Sequence, residues 1–206
     1  FDYDRDGDLD FYVTQGPGHP NLLFRNDGER QFLEVAAEAG VATPESNSSG
    51  VVACDVNNDG FQDLYVATDT GREKDFDREA PGFDAAYIEG VKDRLFVNEG
   101  NGKFREVTDA AFGEETNYSR ASSVVCADVD RDGWLDIYVT NRNDPVRLVA
   151  DDWYNILYRN NGDLTFTNIA SKAAVQGHNL IRVQDENVPN KVVSWAAMFF
   201  DYDDDG

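Results

Sequence analysis

One nine-residue phrase, D-x-[DN]-x-D-G-x-x-D, constrains this chain more than any other feature. It reads DYDRDGDLD from Asp2, DVNNDGFQD from Asp55 and DVDRDGWLD from Asp128, and a fourth copy begins as DYDDDG at Asp201. Each complete copy runs into a short apolar segment: FYVT, LYVAT or IYVTN. A second phrase follows (NLLFRN from Asn21, DRLFVN from Asp93, NILYRN from Asn155), and then a third (FLEVA from Phe32, FREVT from Phe104, FTNIA from Phe166). GVVACD, SSVVCAD and SWAAMFFD precede the later acidic phrases. Every repeat unit therefore holds four short β-rich segments: A before the acidic loop, B after it, then C and D. NDGERQ, NEGNGK and NNGDLT separate C from D and carry hairpin turn chemistry. Repeated units of four short antiparallel strands read as blades of a β-propeller. The B segments are apolar on both faces, as strands sandwiched between neighbouring blades require. No long helical periodicity competes, and AAEAGVA after segment D has room for one helical turn.

The spacings sort the connections into two classes. From the first Asp of the phrase to the Asn ending segment C takes 24, 43 and 32 residues in the three copies. From that Asn to the Phe of segment D takes 6 every time, and from that Phe to the next acidic Asp 23, 24 and 35. The A–B loop and the C–D turn are constant, while B–C and D–A absorb the variation. In an up-and-down blade these pairs lie at opposite ends. One pole therefore carries the acidic loops, and the other carries insertions, mainly 69–92, 141–154 and 173–192. Variable loops on a rigid scaffold are where binding concentrates, so a protein or glycan ligand is expected at the insertion pole.

The expected fold is all-β: a partial β-propeller of about three four-stranded antiparallel blades plus the start of another. Residues 1–49 form a blade lacking its first strand, 50–120 and 121–191 full blades, and 192–206 the first strand and truncated loop of the next. Phe1 aligns with Phe200, so both ends fall inside one motif. Three blades are too few to close a ring, which implies an arc of a larger propeller.

The acidic spacing suits a hard cation. Ca²⁺ takes six to eight oxygens, at roughly 2.3–2.6 Å. Side chains at positions 1, 3 and 5 converge when the chain curls, and Gly at position 6 permits the sharp turn. Position 7 offers a backbone carbonyl, so its side chain varies, and position 9 closes the site. The candidate ligands are Asp2, Asp4, Asp6, Asp8 and Asp10 in the first loop, and Asp55, Asn57, Asp59, Phe61 and Asp63 in the second. Asp128, Asp130, Asp132, Trp134 and Asp136 form the third set, with Asp8, Phe61 and Trp134 acting through their carbonyls. Asp201, Asp203 and Asp205 begin a fourth, incomplete site. An EF-hand needs an acid at position 12 between two helices; here that position holds Val13, Val66 and Val139 in β-rich segments. Solvated turn formers would also be rich in Asp, but they do not require the same Asp/Gly spacing three times. Close carboxylates repel by about a kcal/mol per pair, so a cation would hold the curl. Asn57 leaves the second loop one charge short, and its site is expected to be the weakest of the three. The first loop, with no A strand before it, is expected to be less ordered than the third.

Those residues resemble the FG-GAP/VCBS repeat, the calcium-loop blade also found in integrin α-subunit propellers. The run FDYDxDGDLDxYVT … NLLFRNDG … VAAEAGV, repeated as ADVDRDGWLDIYVTN … NILYRNNGDLTFTNIA, is most similar to the cartilage acidic protein-like (ASPIC/UnbV) family. The resemblance implies a propeller of about seven blades. It also implies a secreted, periplasmic or surface-exposed protein that binds or adheres rather than catalyses, with structural Ca²⁺ in its A–B loops.

Composition narrows the classes further. The 206 residues carry a formal net charge of -22, which repels nucleic acid and anionic lipid. The same chain is 41% hydrophobic, enough for a core rather than a disordered acidic tail. No apolar run is long enough for a membrane span. Cys54 aligns with Ala127 in the repeat, and Cys126 with Ala53. A one-residue offset points side chains to opposite sheet faces, so the expectation is two buried free thiols and no disulfide.

Catalysis finds little support. His19 and His178 sit in loops without a nucleophile or metal pattern, and no phosphate-binding Gly loop is present. The alternative reading is part of an extracellular polysaccharide-active enzyme, lyase-like, with Tyr87, Tyr154, Arg142, Arg147 and His178 as candidates at the insertion pole. Phe76, Phe83 and Trp153 add aromatic contact area there. Asn47-Ser48-Ser49 and Asn117-Tyr118-Ser119 fit the glycosylation sequon.

Overall fold

The computed structural model describes the chain outside residues 17, 29–30, 45, 70–91, 116–119, 142–153, 178–193 and 204–206. It is all-β, built from three antiparallel sheets with an up-and-down order. The first has three strands: β1 (Phe11–Val13), β2 (Leu22–Asn26) and β3 (Phe32–Glu34). The second has four, β4 (Ser48–Cys54), β5 (Asp63–Thr68), β6 (Arg94–Asn98) and β7 (Phe104–Glu106). The third repeats that order with β8 (Ala121–Ala127), β9 (Asp136–Asn141), β10 (Ile156–Asn160) and β11 (Phe166–Asn168). The A, B, C and D segments are thus adjacent strands of one sheet each. The sheets form a partial propeller, with no closed ring.

The register repeats as well. Asn98 faces Phe104 across one C–D hairpin and Asn160 faces Phe166 across the next, as Asn26 faces Phe32 in the first. The turns close the same way: the Asn side-chain oxygen accepts the N–H of the turn glycine, from Gly28 at 3.1 Å and from Gly100 and Gly162 at 3.0 Å. Gly100 and Gly162 have positive φ, and each lies under an aromatic ring. A Cβ on Gly100 would sit 2.8 Å from the Phe61 ring, and one on Gly162 3.0 Å from Trp134. The side chain at position 7 of the acidic loop, free to vary as a carbonyl donor, thus roofs the glycine of its own hairpin.

The core lies between blades, which explains the doubly apolar B strands. All six residues of β5 are buried. Leu64 and Val66 join Tyr3, Leu23, Val41 and Phe96 on the side of the first sheet. Tyr65 and Ala67 join Ile137, Val139 and Tyr158 on the side of the third. Short helices follow two of the D strands: α1 (Ala36–Ala39), which ends at left-handed Gly40, and α2 (Thr108–Phe112), continued by a 3₁₀ turn at Gly113–Glu115. Phe112 stacks on Phe166 of the next blade at 5.0 Å between centroids.

One expectation needs correction. Cys54 and Cys126 form a disulfide, with Cα atoms 6.8 Å apart. The one-residue offset is what permits it. Val52 and Cys54 of β4 point toward the third sheet, whereas Val51 and Ala53 point toward the first. Cys126 occupies the repeat position of Ala53, so it points back toward the second sheet and meets Cys54 between the blades. Side chains from facing sheets meet only when their parities are opposite. Residues 194–200, within the 192–206 segment expected as the first strand and loop of a next blade, carry no strand pairing among the described residues. The segment lies along the third sheet: Ser122 Oγ donates to the Ser194 carbonyl, and Phe199 packs edge-on against Tyr138 at 6.2 Å.

Candidate metal centres

Each acidic loop is a curl held by its own carboxylates. Position 1 receives the N–H of the position 6 glycine: Gly7 to Asp2 at 3.1 Å, Gly60 to Asp55 at 2.8 Å, Gly133 to Asp128 at 2.9 Å. Position 5 receives the N–H of position 7, from Asp8, Phe61 and Trp134 at 2.9, 2.8 and 3.0 Å. Position 4 adopts left-handed φ in all three loops, 59° at Arg5, 57° at Asn58 and 60° at Arg131. Together with the position 6 glycine this reverses the chain and turns the alternate side chains inward.

In the first and third loops positions 1, 3 and 9 converge. One carboxylate oxygen from each of Asp2, Asp4 and Asp10 lies within 4.8 Å of the others, and Asp128, Asp130 and Asp136 do the same. In the second loop position 3 is Asn57, whose Nδ2 donates to Asp59 Oδ2 at 2.9 Å. Position 5 (Asp6, Asp59, Asp132) stands outside these trios. Asp201 and Asp203 of the fourth phrase are described and exposed, while Asp205 lies outside the described residues.

Position 9 is buried in every loop: Asp10 is 4% exposed, Asp63 1% and Asp136 0%. Its two oxygens accept one N–H from position 2 of the same loop and one from the Asn that ends strand C. For Asp63 the donors are Val56 at 2.9 Å and Asn98 at 2.8 Å, and for Asp136 they are Val129 at 3.0 Å and Asn160 at 2.8 Å. Burial pushes the Asp63 carboxyl up to about 7 against these hydrogen bonds, and Asp59 and Asp55 add to the rise. Asp136 and Asp4 shift upward for the same first reason, burial, with neighbouring carboxylates contributing. Crowded anions that resist ionisation are what a cation would relieve.

The donor set fits a hard cation. One oxygen of Asp2, Oδ1, is buried without a hydrogen-bond partner. A buried carboxylate oxygen left unpaired costs free energy, and an ion at the centre of the trio would satisfy it. All other side-chain donors are carboxylate or amide oxygens, the chemistry of Ca²⁺ rather than of softer metals.

Several functional contacts had no expectation behind them. The Asn ending strand C reaches the preceding blade: Asn98 Nδ2 donates to the Tyr3 carbonyl at 2.7 Å, and Asn160 Nδ2 to the Val56 carbonyl at 2.8 Å. Each also reaches its own loop, at the Gln62 carbonyl (3.3 Å) and the Leu135 carbonyl (3.1 Å). Position 4 links neighbouring loops. The Arg5 guanidinium lies 5.1 Å from the Phe61 ring centroid, and Asn58 Nδ2 donates to the Gly133 carbonyl at 2.9 Å. Arg159 of β10 donates to Asp130 Oδ2 at 2.7 Å and to Asp132 Oδ2 at 3.1 Å, and it holds the Asp130 carboxyl below its ordinary range. The recurring final Asn of segment C was the one sequence signal available for these.

At the opposite pole, the residue opening each C segment is a buried polar hub. Asn21 Nδ2 donates to Thr43 and Ser48, Asp93 accepts from Tyr65 and Thr68, and Asn155 Nδ2 donates to Tyr138 and Ser194. Arg120 and Asp69 form a buried ion pair at 3.1 Å beside the longest insertion. Tyr87, Arg142, Arg147, Trp153, Phe76, Phe83 and His178 lie outside the described residues, as does most of the three insertions. Of the other candidates, the Tyr154 carbonyl accepts from Asn141 Nδ2 at 2.6 Å, and His19 is exposed. Asn47, the first sequon, spends its side-chain amide on the Asp69 carbonyl at 2.7 Å, and the following Ser48 is buried. Asn117 lies outside the described residues. No helix is long and apolar enough to cross a membrane among the described residues.

The sequence profile of the FG-GAP-like repeat matches residues 2–66 and 84–139, more than half of the chain. Human cartilage acidic protein 1 is 29% identical over 122 residues, 59% of this chain and 15% of the relative. The mouse protein of that name is 28% identical over 125 residues, and the Xenopus tropicalis protein 27% over 125. The chain thus spans about a sixth of the length of the relatives it matches.

Proposed function

This chain belongs to the FG-GAP-like repeat family, and from that premise we propose that it is an extracellular calcium-binding propeller module serving in protein or carbohydrate binding. The observation that carries the calcium reading is the convergence of Asp2, Asp4 and Asp10, with the orphaned Asp2 Oδ1 among them, repeated by Asp128, Asp130 and Asp136. Asp55, Asn57, Asp59 and Asp63 would hold the second ion. The ion supplies charge neutralisation, and the loops do the rest: they fix the A–B turn, and through position 9 they fix strand C. The sites are therefore structural. The disulfide supports an oxidising compartment, and the acidic composition matches relatives named for cartilage and acidity. The insertion pole, opposite the acidic loops, is the surface for the ligand, because variable loops on a rigid scaffold carry recognition.

The test is thermal unfolding with calcium and with chelator. At free calcium near 100 times Kd each site stabilises by about 2.7 kcal/mol, which raises Tm by roughly 5–10 °C per site in a chain of this length. An unchanged Tm in chelator would show that the loops hold themselves. Glycan-array and matrix-protein binding, with and without the insertions, tests the second half of the proposal.

A further inference from the structure

The three loops do not present the same charge to a cation. The first places four carboxylates at positions 1, 3, 5 and 9, and the second places three, with Asn57 as the fourth group. The third places four, but Arg159 reaches across from β10 and bonds two of them at once, Asp130 Oδ2 at 2.7 Å and Asp132 Oδ2 at 3.1 Å. The repeat position of Arg159 is Val97 in the second blade and Arg25 in the first. Val97 is apolar and buried, and Arg25 turns to Asp27, with contacts of 2.6 and 3.3 Å. Four carboxylates with a guanidinium and three carboxylates without one carry equal net charge. Arg159 thus cancels the extra acid of the third loop, as Asn57 removes it from the second.

We infer that Arg159 is a built-in counter-cation of the third loop, which Ca²⁺ must displace from Asp130 and Asp132, so that it holds the metal-free loop in shape and lowers the loop's calcium affinity. The inference rests on the calcium reading above. Its physical basis is simple. Asp130 belongs to the converging trio, and an oxygen bonded to a fixed cation is a poorer ligand for a second one. A guanidinium fork is suited to this task, because it spans two carboxylates with directed N–H groups and stays charged at all relevant pH. Arg159 is a positioning residue: it acts on the ligands and not on the ion. The third site therefore binds more weakly than the first and falls level with the second.

The third loop carries its own reporter, since Trp134 stands at position 7 while the other two loops have Asp8 and Phe61 there. Terbium luminescence excited through Trp134, competed with calcium, reads the third site; Trp134→Phe identifies the signal. Arg159→Val, which copies the second blade, is expected to raise calcium affinity at this site on the order of tenfold at low salt. It is also expected to lower Tm in chelator more than in saturating calcium. Arg159→Lys keeps the charge but loses the fork across two carboxylates, and is expected to fall between the native protein and Arg159→Val. Equal or weaker calcium affinity in Arg159→Val would overturn the inference while leaving the calcium reading intact. The absence of any Trp134-sensitised signal or calcium effect in the native chain would overturn both. If Arg159→Val does not fold in chelator, Arg159→Gln with calcium present gives the same comparison.

Discussion

Position 9 of each loop shows how one carboxylate serves two structures. Asp63 accepts the Val56 and Asn98 N–H groups and still belongs to the acidic loop. Its folded carboxyl titrates near 7 because burial disfavours the charge, whereas an unfolded Asp titrates near about 4. Between those values the folded state holds a proton that the unfolded state has released. Stability without metal therefore rises as pH falls from about 8 to about 5, since the proton-binding state is favoured. Asp136 and Asp4 shift in the same direction and reinforce the trend. Asp27, Asp130 and Asp163 are depressed and act in the opposite sense, losing their contribution only at lower pH. Urea midpoints in chelator should climb over this acidification, and Asp63→Asn should flatten the climb. In saturating calcium the slope should reverse, because protons then compete with the ion. A chelator profile that falls from pH 8 to 5 would show that Asp63 is ionised in the fold.

At the scale of the strand, the Asn ending segment C matters more than its sequence context suggests. Its backbone N–H binds position 9, its side-chain oxygen closes the C–D turn, and its Nδ2 crosses to the carbonyl at position 2 of the preceding loop. Asn98→Ala keeps the backbone bond to Asp63 but removes the side-chain contacts to Gly100, Tyr3 and Gln62, and leaves the buried Tyr3 carbonyl without that donor. A loss of about 2–4 kcal/mol is expected. Asn26 holds the same place in the first sheet, but its Nδ2 reaches the Leu9 carbonyl of its own loop at 3.3 Å, so Asn26→Ala should cost about half as much. Equal losses in urea unfolding would mean that the interblade bond contributes nothing. The strands themselves were legible, because a six-residue interval from Asn to Phe fixes each C–D hairpin. The Gly positions were legible too, since only a tight curl needs them. The reach of Asn98 was not, because a repeat seen one unit at a time says nothing about what the previous unit presents. The same blindness hid Arg159: Arg, Val and Arg at equivalent places look like tolerance until the guanidinium is seen between two carboxylates. The insertion pole was legible only as a place where length varies.

At the scale of the whole molecule, the blades are joined by packing, by the Asn crossings and by one covalent bond. The Cys54–Cys126 bridge ties the A strands of the second and third sheets, whose side chains enclose the larger apolar cluster. A one-residue offset in the repeat points the two side chains to opposite faces of their own sheets, which suggests separation when each sheet is considered alone. Across a blade interface the same offset brings them together. The bridge closes a loop of 72 residues that includes the longest insertion. Chain-entropy arguments for a loop of this size give stabilisation on the order of 4 kcal/mol. On the calcium reading, ions in the second and third loops would act beside this bridge, because Cys54 directly precedes Asp55 and Asn58 Nδ2 donates across the interface to the Gly133 carbonyl. Effects at neighbouring positions that share an interface couple rather than add. Cys54→Ser with Cys126→Ser should therefore lower the urea midpoint more in chelator than in saturating calcium. An equal loss in the two conditions would show that the bridge and the acidic loops stabilise separate parts of the molecule, and that the blades are coupled through the disulfide and the core alone.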